Sequence, residues 1–100
     1  MTHALALLIR VTAKQYADAA RQLRAGNFNA SPLALALIER GEFMLSGYTT
    51  ASITLKHVAT GRRYSGSTPA VLAHYLADFR RGRRVLEDNE FELTLDGIDD

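Results

Sequence analysis

No cysteine occurs anywhere in the 100 residues of the chain. That excludes disulfides, thiolate nucleophiles and cysteine-based zinc sites, and it makes a reducing, cytoplasmic setting the expectation. Long apolar runs are missing too. The stretch at residues 4–9 is interrupted by Arg10, which makes it too short for a signal-peptide core or a membrane span, and it is read as a strand. No repeat, low-complexity tract or linker breaks the chain, so residues 1–100 are read as a single domain, of a size sufficient for one hydrophobic core. The three histidines, His3, His57 and His74, lack HExxH-type spacing, which leaves no metal site to predict. The glycine-containing segment at residues 61–66 (GRRYSG) has no GKS/T ending and no GxGxxG opens a helix, so no nucleotide cofactor is predicted.

Charge of one sign is missing from the last segment and scarce in the rest. Residues 87–100 hold seven acids and no base, whereas residues 1–86 hold all 12 Lys and Arg against Asp18, Glu39, Glu42 and Asp78. A formal net charge of +1 therefore conceals a basic body and an acidic tail. A partner meets the local field, so an acidic partner and self-shielding by the tail are both compatible with this split.

Periodicity and caps give the elements. Residues 5–11 (LALLIRV) run as a strand into Thr12, with Gln15 three positions later as a capping box. Small or apolar residues at Ala13, Tyr16, Ala17, Ala20 and Leu23 then define an amphipathic helix that stops at Gly26. Ser31 as N-cap, Pro32 at the first position and Gly41 beyond the end frame a second helix, apolar on every side, which is read as core with the option of a protein interface or homodimer contact. Residues 42–46 predict a short strand followed by a connection over residues 47–50.

Residues 52–58 and 62–65 predict a hairpin about a two-residue Thr60-Gly61 turn, which would set His57 opposite Tyr64. Thr68 as cap, Pro69 as first residue and Gly82 as terminator frame a third helix with the stripe Val71, Leu72, Tyr75, Leu76 and Phe79. Phe91, Leu93 and Leu95 alternate with Glu90, Glu92 and Thr94, a half-buried strand with an acidic outer face. The order β-α-α-β-β-β-α-β predicts an α+β domain, a mainly antiparallel sheet with helices on one face, with a ferredoxin-like sandwich as the nearest arrangement.

The densest local charge is RRGRR at residues 80–84. Arg80, Arg81, Arg83 and Arg84, joined by Lys56, Arg62 and Arg63, are the predicted basic patch, with Tyr48 and Tyr64 as apolar or stacking contacts. Cations at a helix C-terminus also complement its dipole, a purely structural account of part of this cluster. No catalytic residue is assigned; His57 and Tyr64 beside an arginine supply the one enzymatic alternative, a small metal-independent RNase.

Missing catalytic motifs, segregated charge and the all-apolar helix together predict a small non-enzymatic binding protein. Its expected role is that of an adaptor or inhibitor docking on a protein or nucleoprotein through the charged patch and an apolar rim near residues 32–48. Small inhibitors encoded by phages and other mobile elements have this size and lack of motif. Direct RNA or DNA binding through the arginines is the main alternative, and no membrane association is expected.

Overall fold

Eight elements follow one another in the computed structural model, which describes residues 4–98. They are β1 (Ala4–Val11), α1 (Ala13–Arg24), α2 (Pro32–Arg40), β2 (Phe43–Tyr48), β3 (Ser52–His57), β4 (Arg63–Ser67), α3 (Ala70–Arg80) and β5 (Asn89–Gly97). The strands form one sheet in the order β1-β5-β4-β3-β2, with every pairing antiparallel. The chain is an α+β protein, as its element order predicts.

The interleaved order of a ferredoxin-like sandwich is not formed. There, each helical crossover passes over one intervening strand. Here β1 and β2 stand at the two edges with three strands between them, and β4 and β5 are direct neighbours although α3 separates them in sequence. Two consecutive helices give the first connection the reach to cross the whole sheet, and α3 returns the chain so that β5 inserts between β1 and β4.

Local chemistry explains the helix ends. The Thr12 hydroxyl accepts the Gln15 amide at 3.1 Å while the Gln15 side chain accepts the Thr12 amide at 2.9 Å, closing the capping box. Ser31 caps α2, Pro32 occupies its first turn, and Gly41 takes the left-handed conformation at φ 84° that ends it. The third cap differs from expectation. The helix begins at Ala70 with Pro69 as its N-cap, a residue with no side-chain acceptor, so no side-chain cap bond forms; the Thr68 hydroxyl donates to the Thr49 carbonyl at 2.8 Å, tying the β4 end to the β2–β3 turn. Strand β2 also runs further than predicted, through Gly47 and Tyr48, with an irregularity between Leu45 and Gly47.

The hairpin turn is longer than two residues. Lys56 pairs with Arg63 and Leu55 with Tyr64, and the His57 amide donates to the Arg62 carbonyl at 2.7 Å. His57 therefore faces Arg62 and not Tyr64. Gly61, at φ 75°, donates its amide to the His57 carbonyl at 2.8 Å, so residues 58–61 close as a helical-type turn.

One face of the sheet is covered. Leu7, Ile9, Val11, Ile53, Leu55, Phe91, Leu93 and Leu95 meet Tyr16, Ala19, Leu33, Leu37, Leu72, Leu76 and Phe79 in a single core. The even-numbered residues of β5 point the other way and are exposed, which confirms the acidic outer face predicted for Glu90 and Glu92. Helix α2 buries Pro32, Leu33, Ala36 and Leu37 and packs on both β1 and β2. Its apolar surface thus bridges the two edges of a curled sheet, leaving Ile38 exposed. Asp99 and Asp100 lie outside the described residues.

Candidate functional site

Three separate locations hold the residues of the predicted basic patch. Lys56 and Arg63 sit opposite each other on β3 and β4. Being in register they share the uncovered face of the sheet, alongside Thr54 and Ser65, whose hydroxyls bond at 3.2 Å. Arg62 belongs to the other side, in an open depression at the mouth of the curled sheet with His57, Thr60, Tyr64, Arg40, Glu42 and Phe43. Arg80, Arg83 and Arg84 occupy the far end of the molecule. Arg62 lies near the Phe43 end of β2, whereas Arg80 lines a hollow with Tyr48 at the other end. Six residues of strand separate the two, roughly 17 Å at ~3.3 Å per residue.

At that far end the arginines surround an apolar cleft. Tyr16, Ala17 and Ala20 of α1 form one wall, Phe79 of α3 the floor, and Gly82 to Leu86 the other side, enclosing about 230 Å³. Arg24, Arg83 and Arg84 line it. Phe79 also lines the adjoining hollow of about 180 Å³, where Arg80, Leu45 and Tyr48 meet Ser31. Burial raises the Tyr48 phenol pKa above its ordinary value, and the nearby Arg80 charge offsets part of that rise.

The cleft wall is fixed by one bond. The Tyr16 hydroxyl donates to the Arg83 carbonyl at 2.6 Å, holding the loop after α3 against α1, and Tyr16 stacks edge-on with Tyr75 and Phe79 at 5.3 Å in each case. Gly82, at φ 79°, reverses the chain beyond the helix without a steric penalty.

Charge at this end is poorly neutralised. Arg83 pairs with Asp78 at 3.5 Å, but Arg24, Arg80, Arg81 and Arg84 have no acidic partner among the described residues. Arg24 was not part of the predicted patch, because it lies 56 positions before Arg80 in sequence. Its place in the last turn of α1 was visible; its approach to the α3 loop was not. Leu86 at the cleft rim is 86% exposed and Phe28 in the α1–α2 loop 77% exposed, so large apolar groups stand in water beside these charges.

The acidic segment is partly spent on structure. Asp88 accepts the Arg10 guanidinium at 2.7 Å and the Ala13 amide at 2.9 Å, at the N-terminus of α1. The backbone bond from Ala13, followed by the Arg10 contact, holds its carboxyl below the usual range. It therefore fastens β5 to the start of α1 and does not cover the arginine cleft.

The mouth of the sheet gathers the groups named for acid/base chemistry. His57 Nδ1 lies 2.9 Å from the Thr60 hydroxyl, which also accepts the Arg62 amide at 3.2 Å. Phe43 packs edge-on against His57 at 5.1 Å and against Tyr64 at 6.2 Å. His74 is exposed on α3 and does not line this mouth, and no group of three or more His, Asp or Glu suited to a metal exists among the described residues. No helix among the described residues is long and apolar enough to cross a membrane. No protein-family model, curated protein or solved structure matches the chain.

Proposed function

We propose that this is a non-enzymatic binding protein, an adaptor or inhibitor that docks an acidic amphipathic segment of a partner through the cleft between α1 and the loop after α3. The observation that carries the reading is the conjunction of Arg24, Arg80 and Arg84, unneutralised among the described residues, with an apolar cleft and the exposed Leu86; Arg81, next to Arg80 in the chain, adds to the same charge. Unpaired guanidinium groups beside apolar surface favour a ligand that brings both carboxylates and an apolar side chain: forks on carboxylates fix orientation, and burial of the apolar group adds affinity. A cleft of about 230 Å³ suits one or two side chains and not a drug-sized ligand. Asp88 does not compete, since it is already committed to Arg10 and Ala13.

The test uses the whole chain and a charge-reversed variant, Arg24→Glu/Arg81→Glu/Arg84→Glu. A synthetic amphipathic peptide with alternating Glu and Leu should bind the wild type, with affinity falling as salt rises, and should lose binding in the variant. Capture from lysate should retain a protein at stoichiometric level that resists nuclease and is lost in the variant. Equal retention by both forms refutes the proposal. Material that disappears on nuclease treatment transfers the arginine end to direct nucleic-acid binding, for which Tyr48 beside Arg80 supplies a stacking group.

A further inference from the structure

The mouth of the curled sheet, at the opposite end from the arginine cleft, carries a second set of recognition groups that docking through α1 and α3 does not use. We propose that this mouth binds a nucleotide phosphate ester, the phosphate held by Arg62 and the base set against the wall of Phe43, His57 and Tyr64.

Shape comes first. The depression encloses about 560 Å³, with Leu5 and Leu7 of β1 on one side and β2, β3 and β4 on the other. That lies within the range of small-molecule sites, which combine apolar walls with a few polar groups. It exists because the sheet curls, bringing the first and last strands of the order β1-β5-β4-β3-β2 to the same hollow.

Charge selects an anion. Glu42, the carboxylate in the lining, lies 3.8 Å from Arg40, and Arg40 also donates to the Leu8 carbonyl at 2.6 Å. Arg62 has no acidic partner among the described residues. The mouth therefore keeps one guanidinium fork in excess, and such a fork matches two oxygens of a phosphate. In the same lining, the Tyr64 hydroxyl has no hydrogen-bond partner among the described residues.

Aromatic surface selects what the anion is attached to. Three π-systems, with Phe43 against His57 at 5.1 Å and against Tyr64 at 6.2 Å, line the mouth with Arg62. A base stacks on such a wall irrespective of its identity, because every base has a π-face. A bare carboxylate or inorganic phosphate gains nothing from it. The turn that carries Arg62 is braced before any ligand arrives: His57 and Gly61 close its backbone and Thr60 holds both the His57 ring and the Arg62 amide. Little ordering then remains to oppose binding.

Free mononucleotides and phosphodiesters within a single strand share this chemistry, and the titration separates them. Ring signals of His57 and Tyr64 are followed by NMR on the full chain while uridine monophosphate, uridine, inorganic phosphate or a short oligouridylate is added. Saturable shifts with the monophosphate are expected, with uridine and phosphate each at least about tenfold weaker, a difference of about 1.4 kcal/mol. Arg62→Ala should weaken the monophosphate about tenfold with an unchanged amide spectrum elsewhere, and the Arg24→Glu/Arg81→Glu/Arg84→Glu variant should bind it as the wild type does. A tighter oligonucleotide identifies a strand as the natural ligand; equal affinity identifies the free nucleotide. Absence of saturable shifts at millimolar monophosphate, an unaffected Arg62→Ala variant, inorganic phosphate binding as well as the nucleotide, or shifts confined to residues 79–86 overturns the proposal.

Discussion

Replacing Gly66 by alanine tests whether β4 passes too close to β5 to admit a side chain at that position. A Cβ built at Gly66 would fall inside the contact radius of the Thr94 carbonyl oxygen, with Leu95 Cδ2 at 3.0 Å and Leu95 Cα at 3.3 Å. Two of these three atoms are backbone and cannot rotate away, so the strands themselves must separate. Leu95 is fully buried, which leaves little slack behind it. Overpacking of this kind costs ~1–3 kcal/mol. Gly66 does not need a positive φ, so alanine also gains ~0.4–1 kcal/mol by restricting the unfolded chain. The net expectation is a loss of roughly 1–2 kcal/mol, which for a domain of this size lowers Tm by about 4–16 °C.

Gly47→Ala is the matched control, because its Cβ meets only Thr54 Cβ at 3.9 Å and its φ is likewise not positive. It should be neutral or slightly stabilising by comparison. Thermal and urea unfolding followed by circular dichroism measure both variants. The reasoning is refuted if Gly66→Ala is as stable as Gly47→Ala.

Further expectations concern the cleft, the α1 junction and strand β5. Tyr16→Phe removes the 2.6 Å bond to the Arg83 carbonyl, so stability should fall by about 1 kcal/mol and amide exchange should accelerate across residues 82–86; unchanged exchange there means the bond does not hold the loop. The Asp88 carboxyl titrates below its unfolded value, so the stability it contributes is present above pH ~4 and is lost as pH falls through the lower folded pKa. Asp88→Asn should therefore lower Tm at neutral pH and narrow the gap between neutral and acid Tm values; an unchanged gap contradicts the assignment. Deleting residues 91–100 removes the strand between β1 and β4 and should abolish the cooperative thermal transition, whereas deleting Asp99 and Asp100 should leave it in place.

Most of the element map was legible because it is written in local chemistry. The Thr12/Gln15 capping box, the Ser31-Pro32 start with Gly41 beyond the end, and the alternation of Phe91, Leu93 and Leu95 each act over a few residues, so spacing alone reveals them. Thr68 misled because the helix starts one residue later, with Pro69 as its N-cap, and the Thr68 hydroxyl is turned to the Thr49 carbonyl 19 positions away, a contact that only the fold creates. The hairpin register failed for a related reason. Thr60-Gly61 resembles a two-residue turn, but the backbone bonds of His57 to Gly61 and Arg62 close a longer one, and that moved Arg62 opposite His57.

By itself the sequence determined which segments fold, most of the core, though Val71 of the expected α3 stripe is exposed, and that acidic and basic charge occupy different stretches. Tertiary structure alone decided what those charges do. Strand order carried Arg62 to one end of β2 and Arg80 to the other, turned Lys56 and Arg63 to the bare face, and brought Arg24 to Arg83 and Arg84. The physical reason is the range of the forces involved. Caps and periodicity act between neighbours in the chain, whereas the placement of a charge depends on how distant apolar surfaces pack, and that packing is a property of the whole core.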